Sequence, residues 1–198
     1  MKLFDEYPLV TDGRVMLRRI VPADAEALQD LRTDQEVYRY LPTFLYEQKY
    51  PDVHEVIRRM DEECFQTKES LLLAVCLTGQ PEELCGIAEI YAYEPWRRKA
   101  SIGYRLRRAY SGRGIATAVA RLLREYLFHT VHLHTVTAHV MTDNRSSAAV
   151  LLKAGFPERY SNVLEDWGRD VPVLVDKYVL KEAEDLAEQT GIKIENEI

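Results

Sequence analysis

The segment that most constrains this chain is residues 107–116, Arg-Arg-Ala-Tyr-Ser-Gly-Arg-Gly-Ile-Ala. It runs without a break into the helical pattern Thr117-Ala-Val-Ala-Arg-Leu-Leu123. Before it, residues 99–106 read as a strand. A strand, a turn carrying Gly112 and Gly114, and a helix start together make a site for a phosphate or pyrophosphate. The first N–H groups of a helix have no partner inside it and carry roughly half a positive charge. Glycine lets the backbone approach an anion closely and take a positive φ. The turn is not a Walker loop, because no Gly-x-x-x-x-Gly-Lys-Ser/Thr occurs. It is not a dinucleotide fingerprint either, because the third glycine is replaced by Ala116. Taken alone, the same turn serves equally as an ordinary helix opening.

The 198 residues are 46% hydrophobic and 29% charged, enough for one domain with a sizeable core. We expect a single domain over 1–198, with its core at about 14–180 and a C-terminal helix and tail over 181–198. The net charge of −6 argues against a general nucleic-acid binder, which needs a basic face. Cys64, Cys76 and Cys85 are odd in number and lack metal spacing, so buried free thiols in a reducing, cytoplasmic setting are expected. No stretch approaches the ~18 apolar residues of a membrane span, and the first residues lack a signal-peptide run.

Hydrophobic periodicity organises the rest. Residues 14–20 read as a strand and Pro22 opens a helix with Ala25, Leu28 and Leu31 on one face. A short helix is expected over 34–41. A loop rich in Tyr and Phe follows, then a longer helix from Pro51 to Phe65. Strands follow at 70–77, 84–93 and 99–106, with a turn at 79–81. After the 115–129 helix come a strand at 132–140, a helix at 144–154 closed by Gly155, and a strand at 171–180. A terminal helix is expected over 181–189. This order implies an α+β fold around one mixed sheet.

A second segment narrows the reading. Met141-Thr-Asp-Asn144-Arg-Ser-Ser147 opens a short apolar helix that stops at Gly155-Phe156. With the Ser111–Ala116 turn and the preceding Ile102-Gly103-Tyr104, the chain resembles the GNAT superfamily of acetyl-CoA-dependent N-acetyltransferases. It is most similar to the branch that acetylates ribosomal-protein N-termini (RimJ/RimL-like). The resemblance runs from about Val15 to Leu180. It implies a GNAT-like fold, with a single mixed, mostly antiparallel central sheet flanked by helices. There are departures from the family pattern. Ser111 stands at a usual Gln/Arg position and Ala118 at a frequent Glu. Leu151 stands where many members carry a Tyr that serves the leaving thiolate.

The resemblance implies acetyl-CoA as donor and an amine as acceptor, with no metal. Ser111, Gly112, Arg113, Gly114, Ile115 and Ala116 would cradle the pyrophosphate. The backbone at Leu106 and Arg107 would pair with the pantetheine arm, and Asn144 would bond the arm or simply cap its helix. Ser147 is the candidate partner of the leaving thiolate. Its hydroxyl is a weak acid, so hydrogen bonding is more reasonable than full proton transfer. For the base, the position used in another branch falls at Ser101, which cannot serve. Glu89 is one candidate, alternating with Ile87 and Tyr91 on its strand. Glu165 and Asp166 are others, since the similar branch carries a carboxylate there. A solvated strand residue and a surface turn are the plain alternatives for Glu89 and Glu165.

His129, His132, His134 and His139 lack accompanying ligands at metal spacing. Tyr38, Tyr40, Phe44, Tyr46 and Tyr50 shape either an acceptor pocket or a small local core. The expected activity is acetyl transfer by direct amine attack in a ternary complex. The acceptor is a protein N-terminal α-amine or a small-molecule amine. No nucleic-acid or membrane partner is expected, and self-association into a homodimer is left open. The competing readings are a catalytically silent acyl-CoA-binding module and a nucleotide-phosphate binder that shares only the turn.

Overall fold

In the computed structural model, which describes residues 3–190, one eight-stranded sheet organises the chain. Its strands are β1 (Val10–Thr11), β2 (Val15–Arg19), β3 (Ser70–Leu77) and β4 (Gly86–Glu94), then β5 (Lys99–Leu106), β6 (Thr135–Met141), β7 (Glu158–Glu165) and β8 (Val173–Lys181). They lie in the order β1-β2-β3-β4-β5-β6-β8-β7. Every neighbouring pair is antiparallel except β5–β6, so the sheet is mixed as the sequence implied.

β3 reads Ser-Leu-Leu-Leu-Ala-Val-Cys-Leu because it is covered on both faces. Leu71, Leu73 and Val75 join one core, and Leu72, Ala74 and Cys76 join another, as period-2 alternation requires. The second core packs under α1 (Ala25–Thr33) and α3 (Val53–Met60), with α2 (Gln35–Tyr38) between them in the chain. The first packs under α4 (Ile115–Glu125) and α5 (Arg145–Lys153). In α4, Ile115, Val119, Leu122 and Leu123 recur at helical spacing and are all buried. The α5 helix ends as its Gly-Phe signal predicts. Gly155 takes φ +87°, its N–H donates to Leu152 O at 3.1 Å, and Phe156 N–H donates to Leu151 O at 3.0 Å. The final helix, α6, is Glu182–Thr190, while the expected tail lies outside the described residues.

Several elements differ from expectation. β7 was not anticipated because it is an edge strand, exposed along most of its length, and shows no apolar alternation. β6 starts at Thr135 rather than 132, since His132 adopts a left-handed φ of +62°. Only Gln35–Tyr38 of the expected 34–41 helix is α-helical. Cys64, Cys76 and Cys85 are buried free thiols, and burial pushes Cys76 up to about 11 and Cys64 to about 12.

The feature that matters for chemistry is a split between β5 and β6. They pair only through Lys99↔Thr135, Ala100↔Val136 and Ser101↔Thr137. Beyond that rung, β5 stays on β4 to Leu106 while β6 stays on β8 to Met141. A wedge therefore opens in the sheet, and its last rung is fastened by the buried hydroxyls of Ser101 and Thr137, 2.7 Å apart.

Candidate active site

The wedge runs through a cavity of about 820 Å³ that reaches Asn144 and Ser147 on one face and Glu89, His139 and Glu165 on the other, and the Gly-rich turn follows the free end of β5. At the turn, Gly112 and Gly114 have φ of +73° and +77°. Gly114 is the N-cap of α4 and offers no side chain, so the first-turn N–H groups are capped by nothing in the helix. Residues 111–114 are exposed, and a Cβ at Gly112 would meet no atom within 4 Å. Ser111, Arg113, Ile115 and Ala116 flank this opening. Arg113 is held there, its carbonyl accepting from Arg14 Nη2 at 2.8 Å and its guanidinium lying over the Tyr110 ring. The residues fit an incoming phosphate group.

Leu106 and Arg107 behave differently from each other. Arg107 N–H donates to Cys85 O at 2.9 Å, and Arg107 O accepts from Tyr110 N–H at 2.9 Å. Its side chain is also engaged, by Asp30 at 3.1 Å and Glu83 at 3.6 Å. Arg107 is therefore not the backbone partner expected. Because N–H and C=O groups alternate sides along a strand, Leu106 points the other way, into the wedge.

Asn144 is the N-cap of α5. Its Oδ1 accepts from Ser147 N–H at 3.2 Å and from Ser146 Oγ at 2.9 Å. Its Nδ2 makes no hydrogen bond among the described residues and is the end left for a ligand. Ser147 follows in the first turn, and its Oγ lies 3.0 Å from the hydroxyl of Tyr104 on β5. Burial pushes the Tyr104 phenol above its ordinary value, opposed by the Ser147 bond, so it stays protonated at neutral pH. In the sequence Tyr104 stands out only as part of a strand. The buried Leu151 leaves no tyrosine on α5 at that point, and Tyr104 brings a phenol to the same helix from the strand.

The other mouth of the wedge is polar. Arg105, alternating with Tyr104, projects to the opposite face. It is 4% exposed and sits between two buried carboxylates. Its Nη1 donates to Glu89 Oε2 at 2.8 Å and its Nη2 to Glu47 Oε2 at 2.5 Å. Glu47 also accepts from Tyr38 Oη at 2.7 Å. Glu89 is thus neither a solvated residue nor a free base. Burial pushes its carboxyl up, Arg105 opposes that, and the group locks the 46–48 turn onto the sheet. The 39–44 segment is tied down as well. Thr43 N–H donates to Trp167 O at 3.0 Å, and Arg169 Nη2 donates to Arg39 O at 2.7 Å. Among the predicted aromatic residues, Tyr40, Phe44 and Tyr46 line the cavity, and Tyr50 bonds Glu63 at 2.6 Å.

Glu165, at the end of β7, is in the cavity wall with Asp166 beside it. Its carboxylate is fully engaged. Lys177 Nζ lies 2.7 Å from Oε1, Trp167 Nε1 donates to Oε2 at 2.9 Å, and His139 Nδ1 lies 3.0 Å from Oε1. Burial raises the Glu165 pKa, but the bonds from Lys177, Trp167 and His139 outweigh it and hold the carboxyl below its ordinary value. His139 also lines the cavity, a role its sequence context did not reveal. His134 is engaged elsewhere, by Glu182 at 2.7 Å.

Comparison with known proteins agrees with this geometry. The family described as the acetyltransferase (GNAT) domain matches residues 14–157. The uncharacterized N-acetyltransferase YoaA of Bacillus subtilis (strain 168) is 28% identical over 152 residues, covering 76% of this chain and 83% of that protein. "Putative ribosomal N-acetyltransferase YdaF" of the same organism is 36% identical over 75 residues, 38% of this chain and 41% of its own length. Among solved structures, spermidine N-acetyltransferase from Vibrio cholerae in complex with CoA and spermine superposes with a TM-score of 0.72. That likeness spans 88% of this chain and 99% of the other at 17% identity, and it speaks to the fold.

Proposed function

The chain belongs to the GNAT family of acetyltransferases, and from that premise we propose that it moves an acetyl group from acetyl-CoA to a primary amine by direct attack in a ternary complex. The observation that carries this reading is the wedge. An uncapped helix N-terminus follows the end of β5, a cavity runs through the split, and the free edge of β5 joins them.

In this reading Gly112, Gly114 and the first turn of α4 hold the pyrophosphate. Leu106 offers its backbone to the pantetheine arm, and Asn144 Nδ2 bonds the arm from α5. Acetyl-CoA supplies a thioester, a carbonyl activated toward amines. Ser147, backed by Tyr104, gives the departing sulfur a hydrogen-bond donor. Oriented donors aimed at developing charge in a water-poor site are worth far more than the same groups in water. The acceptor enters from the opposite face, where Glu89, Glu165 and Asp166 favour a cationic end. A protein N-terminal α-amine and a small-molecule amine both present such an end. The transferase unit extends past the family-matched segment through β8, because Glu165 lines the cavity and Lys177 of β8 holds it.

A thermal-shift titration with acetyl-CoA, desulfo-CoA and ATP tests the donor site, since a ligand of the native state raises its apparent stability. We expect a rise with both CoA species and none with ATP. Thiol release from acetyl-CoA is then followed with spermidine, an aminoglycoside and Ser-initiated peptides. Equal shifts with ATP, or no thiol release above hydrolysis with any amine, would sink the proposal.

A further inference from the structure

The reaction needs a proton acceptor, because an amine at neutral pH is mostly ammonium and sheds protons as the amide forms. The candidate carboxylates on the acceptor face are already engaged, Asp166 by the Gly168 N–H at 2.8 Å. Glu89 is shared with Arg105, and Glu165 accepts from three donors on three different segments. Protonating Glu165 would weaken all three bonds.

His139 stands where such a group belongs. On β6 it follows Thr137 along one face, and Thr137 makes the last rung before the wedge. It is therefore the first side chain past the split on the acceptor face, and it lines the cavity. Its Nδ1 faces both oxygens of Glu165, at 3.0 and 3.1 Å. A ring nitrogen against a carboxylate carries the hydrogen, which leaves the lone pair on Nε2. Among the described residues Nε2 makes no hydrogen bond. Trp167 and Lys177 fix Glu165, so the ring orientation is set by a built shell.

We propose that His139 Nε2 takes the proton from the acceptor amine, with Glu165 as its positioning residue. This deepens the amine-transfer reading and rests on it. The ammonium first gives one proton to solvent and attacks as the neutral amine; as the C–N bond forms, the nitrogen's second surplus proton passes to Nε2. The C–S electron pair leaves with sulfur as thiolate, which accepts a hydrogen bond from Ser147 on the other face. The imidazolium then returns its proton to solvent or to the thiolate. Burial, more than the charges around it, keeps the ring neutral and ready. Burial lowers its pKa, and Glu165 on β7 opposes this. Lys177 on β8 and Lys99 on β5 lower it further, and the net position is below the ordinary histidine value. Tyr91 and Glu89 on β4, Arg105 on β5 and Asp166 after β7 are further titratable groups in the cavity wall.

The test uses the full chain with H139A and H139N, the latter keeping an N–H donor toward Glu165 but no base. With an amine that the wild type acetylates, kcat/KM at pH 7 should fall about 10²–10⁴-fold in both variants. The wild-type acid limb, centred below about 6.5, should vanish. Added imidazole should restore part of the rate to H139A, and acetyl-CoA affinity by calorimetry should stay within about twofold. E165Q should retain the limb but displace it. Nitrogen-15 spectra of the wild type provide a readout free of any acceptor, and should report a bare Nε2 and a protonated Nδ1 at pH 7. Rates in H139N equal to wild type, or a protonated Nε2 at pH 7, would overturn the assignment. If no amine is acetylated, the transfer reading fails by itself, and the spectrum still decides the state of His139.

Discussion

The two faces of the sheet carry the two halves of the site, and they are built in opposite ways. On the donor face, each unit is short in sequence. The Gly turn and its helix are contiguous, and Asn144 caps Ser147 three residues on. The long-range ties there are those of Tyr104 to Ser147, spanning 43 residues, and of Arg14 to the Arg113 carbonyl, spanning 99. On the acceptor face the contacts that bring the elements together are distant. Arg105 reaches Glu47 across 58 positions, His139 reaches Glu165 across 26, and Thr43 meets Trp167 across 124. The donor face presents backbone groups that glycine leaves open. The acceptor face works with side chains whose charge and orientation depend on neighbours. A cofactor-type site can therefore be carried by local motifs, while an acid–base site is an outcome of packing.

The sharpest way to break the comparison is G114V. A β-branched residue at φ +77° is strained, and it fills the approach to the first turn of α4. We expect CoA binding to disappear in calorimetry while the fold persists, and an unchanged affinity would remove the turn from the donor site. On the acceptor face, R105M should act on stability instead. It leaves Glu47 and Glu89 buried without their cation, a loss of about 3–5 kcal/mol. At this chain length, that corresponds to a drop in Tm on the order of 10 °C. Purified R105M melting with the wild type would mean the triad is not what holds the 46–48 turn. The smaller effects belong to the thiolate end. S147A should lower kcat about 10–100-fold, the worth of one hydrogen bond to a charged group, with CoA affinity unchanged. Y104F should cost less, and should cost nothing further in the S147A background if the phenol acts only through Ser147.

Element type was readable wherever one period dominated. The apolar run of β3 and the i, i+4, i+7, i+8 stripe of α4 each state their environment directly. β7 was silent because an exposed edge strand has no buried face to alternate. Leu106 and Arg107 are adjacent in the sequence and indistinguishable there as backbone partners. Only the register with β4 shows that Arg107 is consumed and Leu106 is not. Glu89 and Glu165 were visible as carboxylates near the site, yet their bonding partners determine that one braces the roof and the other orients a histidine. His139 gave no signal of its own, being a lone histidine in a strand.

By itself, then, the sequence determined the strand–turn–helix with its open first-turn N–H groups, the capped helix carrying Asn144 and Ser147, and the mixed sheet that joins them. These depend on dihedral preferences, on orphan N–H groups and on hydrophobic period, all of which act over a few residues. The tertiary structure alone decided where β5 leaves β6, which backbone edge stays free, and which buried side chains share their charges. Those outcomes depend on desolvation and on contacts between segments tens of residues apart, and no local pattern encodes them.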